Sequence, residues 1–162
     1  MVGWFRKKFG HREIESCKQA IKINPDDAHY YNSLGEVQDL VSLSEEAIES
    51  YKKAIGLNPE NADYYFNLGL AQYQAELPGE AIESHKKAIE LDPEKAYYYF
   101  QLGFAQRKLE LYEEAIESYK KAVGLNPENS LFSYFYLGEA DLSPLFVPPL
   151  KLEFVFIQIV GA

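Results

Sequence analysis

The chain has 162 residues, 47% of them hydrophobic, and a formal net charge of −9. That apolar content can bury a sizeable core, while the acidic balance argues against nucleic acid as a partner, because a phosphate backbone is held by clustered Lys and Arg. A single cysteine, Cys17, excludes an internal disulfide framework and suits a reducing compartment. The opening stretch MVGWFRKKFGHR is basic but leads into no continuous apolar run, so no secretory signal is expected. No segment reaches the length of a membrane-spanning helix. The expectation is a soluble, cytoplasmic protein.

From the start, residues 1–25 read as a truncated N-terminal repeat, mainly one helix: HREIESCKQAIKINPDD shares a frame with YEEAIESYKKAVGLNPEN further on, and WFRKKFG is expected to end a preceding helix. Trp4, Phe5 and Phe9 alternate with Arg6, Lys7 and Lys8, a pattern also compatible with a membrane-surface segment. Residues 26–129 hold three full units. The segment EEAIESYKKAIGLNPEN at 45–61 returns at 113–129 with only Ile55 changed, to Val123, and a looser copy spans 79–95. Pro25, Pro59, Pro93 and Pro127 are spaced by 34 residues. A period of that size means a repeat array, in which one unit cannot bury its own apolar face and stacks on its neighbours.

Each unit reads as two helices, the first pair being AHYYNSLGEVQDLV at 28–41 and SEEAIESYKKAIGL at 44–57. In the second helix Ala47, Ile48, Tyr51, Ala54 and Ile55 form one stripe at helical spacing, and Glu45, Glu46, Glu49, Lys52 and Lys53 form the opposite, solvated face. Glu49 with Lys53, Glu83 with Lys87 and Glu117 with Lys121 have the favourable acid-before-base order at i,i+4. Asp26 or Asp27, Asn61 and Asn129 are candidate N-caps. Gly35, Gly69 and Gly103 are expected to let the first helix approach Ala47, Ala81 and Ala115 of the second. Beyond the third unit, 130–142 is expected to form one extra helix, and 143–162 is a proline-containing apolar tail, an aggregation liability if exposed.

These residues resemble the tetratricopeptide repeat family, whose pattern is filled three times: Tyr31, Leu34, Gly35, Ala47, Tyr51, Ala54 and Pro59; then Tyr65, Leu68, Gly69, Ala81, His85, Ala88 and Pro93; then Tyr99, Leu102, Gly103, Ala115, Tyr119, Ala122 and Pro127. The resemblance implies an all-α, right-handed α-solenoid of antiparallel helix pairs. Where the family often has Gly in the turn inside a unit, this chain has Ser42, Glu76 and Glu110, and Pro78 raises the expectation that the second turn is built differently.

No convergent set of catalytic groups, phosphate-cradling loop or metal-ligand spacing is found; His11, His29 and His85 fall at unrelated places, and His85 and Cys17 read as core fillers. No enzyme activity, metal or cofactor is expected. The second helices are near copies, whereas the first helices differ, so the variation points to surface that packing does not specify. The resemblance makes the first helices line a concave groove. It assigns ligand contact to Asn32, Phe66, Asn67, Leu70, Tyr73, Tyr97, Phe100, Phe104 and Arg107, with His29, Ser33, Glu36, Asp39, Asp63, Gln101 and Lys108 beside them. Relatives that hold the acidic tail of heat-shock chaperones use Lys, Asn, Asn, Lys and Arg where this chain has Asn32, Glu36, Asn67, Tyr97 and Gln101. Only Asn67 matches, so a carboxylate clamp is not expected. The expected function is a non-enzymatic protein-interaction scaffold taking an apolar or amphipathic peptide or helix. The alternative is a structural fragment that self-associates through its C-terminal helix and apolar tail.

Overall fold

The computed structural model describes residues 2–127, with side chains from residue 10 onward. Seven helices and no strand are found among them: α1 (Val2–Ile23), α2 (Ala28–Leu40), α3 (Ser44–Leu57), α4 (Ala62–Gln74), α5 (Pro78–Leu91), α6 (Ala96–Lys108) and α7 (Tyr112–Leu125). Each helix packs on the next, most extensively within the pairs α2/α3, α4/α5 and α6/α7, and α2, α4 and α6 also touch one another in sequence. This is an all-α repeat solenoid. The first helix departs from expectation: Trp4 to Gly10 does not end a separate helix but continues without a break into the His11–Ile23 stretch. Gly10 sits against Val41, where any side chain would collide with the valine. The side chains of the basic opening segment, the 130–142 helix, the N-cap at Asn129 and the 143–162 tail lie outside the described residues.

The stripe on α3 is buried through Ala47, Ile48, Tyr51 and Ala54, with Ile55 half-buried beside them. Leu68 and Ala71 of α4 close over Ala47, Ile48 and Tyr51, and the next interface repeats the arrangement with Ala81, Ile82, Leu102 and Ala105. Tyr51, His85 and Tyr119 are the largest fully buried side chains. The glycines act through these rings rather than through the alanines: a Cβ on Gly35 would stand 2.6 Å from Tyr51 Cε1, one on Gly69 2.6 Å from His85 Cε1, and one on Gly103 2.7 Å from Tyr119 Cε1. Glycine is needed so that the aromatic place can fit between helices.

The turn inside each unit has one geometry throughout. Ser42, Glu76 and Glu110 adopt left-handed backbone with φ of 64°, 60° and 61°, although none is glycine. The amide of the following leucine reaches back to the buried glutamine, Leu43 to Gln38, Leu77 to Gln72 and Leu111 to Gln106, at 2.9–3.0 Å. The left-handed residues bond Asp39, Tyr73 and Arg107 at 3.0–3.2 Å. Together these two bonds are a Schellman motif, which satisfies carbonyls a helix end would otherwise leave open. Pro78 does not alter the turn; it opens α5, where its missing N–H is no loss.

Asp27 and Asn61 cap α2 and α4 by accepting from His29 N and Asp63 N, each at 3.0 Å, whereas Lys95 at the same place before α6 offers no side-chain cap. On the solvated face the ion pairs are i,i+3 rather than i,i+4: Glu49 with Lys52, Glu83 with Lys86 and Glu117 with Lys120. Lys53 and Lys121 instead lie 6.0 Å and 5.9 Å from the ring centroids of Tyr31 and Tyr99, and Lys87 pairs with Glu90. All these pairs are exposed, so each adds little stability.

Candidate functional site

The surface to be explained is the one formed by α2, α4 and α6, and it is fixed to the scaffold from below. In every unit a buried glutamine of the first helix meets a buried serine of the second: Gln38 with Ser50 at 2.6 Å, Gln72 with Ser84 at 2.6 Å and Gln106 with Ser118 at 2.7 Å. Each pair satisfies two polar groups that burial would otherwise penalise, and it sets the angular position of the first helix on the second. These six residues were not read from the sequence as part of the site's framework. Their signal is present in strict recurrence every 34 residues.

The expected contact residues divide. Asn32 and Phe66 are buried at 5% and 7% exposure, so they support the surface instead of standing on it. Phe66 packs with Ala88 and Tyr98 and lies 4.9 Å from the Tyr98 ring, 5.2 Å from that of Tyr97 and 5.5 Å from that of His85. Tyr97 is 55% exposed. Asn67, Leu70, Tyr73, Phe100, Phe104 and Arg107 are half-buried, with Leu70 against the Phe66 cluster. A run of rings links them: Tyr97 to Phe100 at 6.2 Å, Phe100 to Phe104 at 6.4 Å and Phe104 to Tyr73 at 5.1 Å. The Arg107 guanidinium stands 6.0 Å from the centroid of Phe104. Seven of the nine expected residues, all but Asn32 and Asn67, are thus linked by ring or packing contacts, and the two asparagines by a hydrogen bond of their own.

The other end of this region is polar. Asn67 donates to the Asn32 carbonyl oxygen at 3.0 Å, and both side-chain amides reach the Glu36 carboxylate, Asn32 at 2.8 Å and Asn67 at 3.4 Å. Asp39, one turn further along α2, accepts from the Tyr51 hydroxyl at 3.2 Å, while its Oδ1 is buried with no hydrogen-bond partner. Burial raises the Asp39 carboxyl to about 6. Burial alone acts in the opposite direction on His85, lowering it to about 4, and its Nδ1 has no partner either. His29 and Asp63 are exposed, Ser33 and Gln101 are half-buried, and Lys108 is tied to Glu76 at 3.0 Å across the unit boundary. An open polar cleft lined by Asn61, Asp63, Asp92 and Tyr98 is bridged by a hydrogen bond from the Tyr98 hydroxyl to Asp63. Among the described residues no cluster of His, Cys, Asp and Glu is arranged to hold a metal ion. None of their helices is long and apolar enough to cross a membrane.

Paired helices at a 34-residue period, with an aromatic ring seated on a glycine in each pair, define an α-helical repeat solenoid. The family model "TPR repeat" matches residues 44–75, and "Tetratricopeptide repeat" matches 62–95 and 96–129. The chain belongs to the tetratricopeptide repeat family. Among solved structures it is similar to "Crystal structure of MamA", at 27% identity over 88% of this chain and 84% of that one, with a TM-score of 0.77. It shares its fold with "Crystal structure of YrrB: a TPR protein with an unusual peptide-binding site", at 21% identity over 83% and 69% of the two chains and a TM-score of 0.71. The same holds for "First TPR of Spaghetti (RPAP3) bound to HSP90 peptide SRMEEVD", at 22% identity over 72% and 91% and a TM-score of 0.69. No curated protein matches the chain.

Proposed function

We propose that this chain is a non-enzymatic protein-interaction module, taking an apolar or amphipathic peptide or helix along the surface of α2, α4 and α6. The observation that carries the reading is the run from Tyr97 through Phe100 and Phe104 to Tyr73, with Tyr97 55% exposed on a protein whose second-helix face is charged. Apolar side chains laid into such a run gain affinity by burial, and aromatic anchors are frequent hot spots. Family membership and a fold shared with two proteins described as peptide-bound or peptide-binding support it.

Phe66, buried, serves as the floor on which Tyr97 rests, and Asn32 does the same for Asn67. A chaperone-type carboxylate clamp is disfavoured by geometry as well as by sequence, because the Asn32 and Asn67 amides are already committed to Glu36. The test is a paired pull-down from cell extract with the full chain and a Leu70→Ala, Tyr73→Ala, Tyr97→Ala variant of unchanged helicity. Loss of a specifically retained protein, with affinity for it falling about thirtyfold or more, is expected. Retention of the same proteins with unchanged affinity overturns the reading.

A further inference from the structure

We infer that this surface is polarised: it takes an amphipathic segment with a cationic side chain about seven residues from its apolar anchor, cation on α2 and anchor on α4 and α6. The inference rests on the reading of α2, α4 and α6 as the interaction surface. The 34-residue translation places Glu36, Leu70 and Phe104 in one row and Asp39, Tyr73 and Arg107 in a second. Contacts around and across the rows join neighbouring units: Asn67 reaches Asn32 and Glu36, and Tyr73 meets Phe104. Along both rows the chemistry changes from carboxylate in the first unit to apolar or aromatic in the second.

The carboxylate end is built, not merely acidic. Two amides hold Glu36 in place, and amides orient a carboxylate without neutralising it. Among the described residues no Lys, Arg or His pairs with Glu36 or Asp39. Asp39 Oδ1 is a buried acceptor without a donor, a condition that costs stability. At the far end of the same row the place of Asp39 is taken by Arg107, beside Phe104. Adjacent helices pack about 8–10 Å apart, a distance that about five to seven residues of a bound helix span. A second copy of the chain is a poor occupant, because two molecules of net charge −9 repel.

The probes are two fluorescent helical peptides of about fifteen residues with identical Leu and Phe anchors. One carries Lys about seven residues before the anchors, the other Glu at those places. Fluorescence anisotropy with the full chain is expected to show the Lys peptide binding about fivefold or more tightly than the Glu peptide, a preference that shrinks in high salt. Glu36→Gln with Asp39→Asn is expected to abolish the preference, and Glu36→Gln alone, which keeps an acceptor for the asparagines, to reduce it. Leu70→Ala is expected to weaken both peptides alike. Equal binding of the two peptides, or an unchanged preference in Glu36→Gln, overturns polarity and leaves the groove reading standing. Binding of neither overturns both. Displacement of the Lys peptide by an unlabelled peptide of residues 150–162 identifies the chain's own tail as occupant and overturns the inference. A salt-sensitive dimer lost in Glu36→Gln does so in favour of a second copy.

Discussion

The first and second units share a backbone plan and differ in the side chains that support and form their surface. In the first, Tyr51 fills the gap above Gly35 and its hydroxyl bonds Asp39. In the second, His85 fills the gap above Gly69, the place of Asp39 is held by Tyr73, and the place of Asn32 by a buried Phe66. The scaffold contacts, Gln38 with Ser50 and Gln72 with Ser84, are the same length in both. The lesson is that a repeat can exchange a polar support for an aromatic one above a constant framework. Surface chemistry then changes from unit to unit while the helices do not move.

The largest effect that can break this comparison is at the place shared by Asn32 and Phe66. Phe66→Ala removes a ring packed on Tyr98 and His85 and is expected to cost about 3–5 kcal/mol in denaturant unfolding. Asn32→Ala, at the same place, loses only the amide contacts to Asn67 and Glu36 and is expected to cost about 1 kcal/mol. Equal losses at the two positions remove the distinction between aromatic and polar support.

The acid response of the two units comes next, and the signs are opposite. His85 binds its proton less readily when folded, at about 4, than in the unfolded chain, at 6.5. Its contribution is therefore fully present above pH 6.5 and is lost as pH falls toward 4, by about 3 kcal/mol. Asp39 binds its proton more readily when folded, at about 6 against 3.8, so its contribution is present at low pH and is lost as pH rises through that interval. Solvent screening at this partly exposed carboxyl reduces the loss to on the order of 1 kcal/mol. Chemical denaturation from pH 4 to 7 is expected to show a steep acid-side loss that His85→Tyr removes, and a shallow opposite slope that Asp39→Asn removes. An unaltered pH profile in His85→Tyr assigns the acid sensitivity elsewhere.

The smallest effect concerns the turn common to all three units. Glu110 has φ of 61°, which costs a residue with a Cβ roughly 1–2 kcal/mol, and glycine recovers part of this at an entropic penalty of its own. Glu110→Gly is expected to stabilise by about 0.5–1 kcal/mol in thermal unfolding, and the same substitution at Ser42 to do likewise. Destabilisation at either site indicates that the side chain makes a compensating contact.

Much of this was legible in the sequence. The second-helix stripe of Ala47, Ile48, Tyr51 and Ala54 was readable because helical periodicity alone decides which face is buried, and the cap at Asn61 because capping is a local preference; the sequence left Asp26 and Asp27 both open, and the structure puts Asp27 at the cap. The role of the glycines was only half legible. That a close approach occurs follows from glycine recurring at the same place, but whether ring or backbone fills the space depends on side-chain directions in two helices at once.

By itself, then, the sequence determined the repeat length, the helix pairs, the apolar stripe of the second helices and the family, because each depends on local spacing or on recurrence along the chain. The tertiary structure alone decided that Phe66 and Asn32 lie under the surface, that Asn67 of α4 reaches Glu36 of α2, and that Gln38, Gln72 and Gln106 face inward onto serines. Those facts turn on how residues 12 to 35 positions apart meet across stacked helices, which no pattern read along a single helix contains.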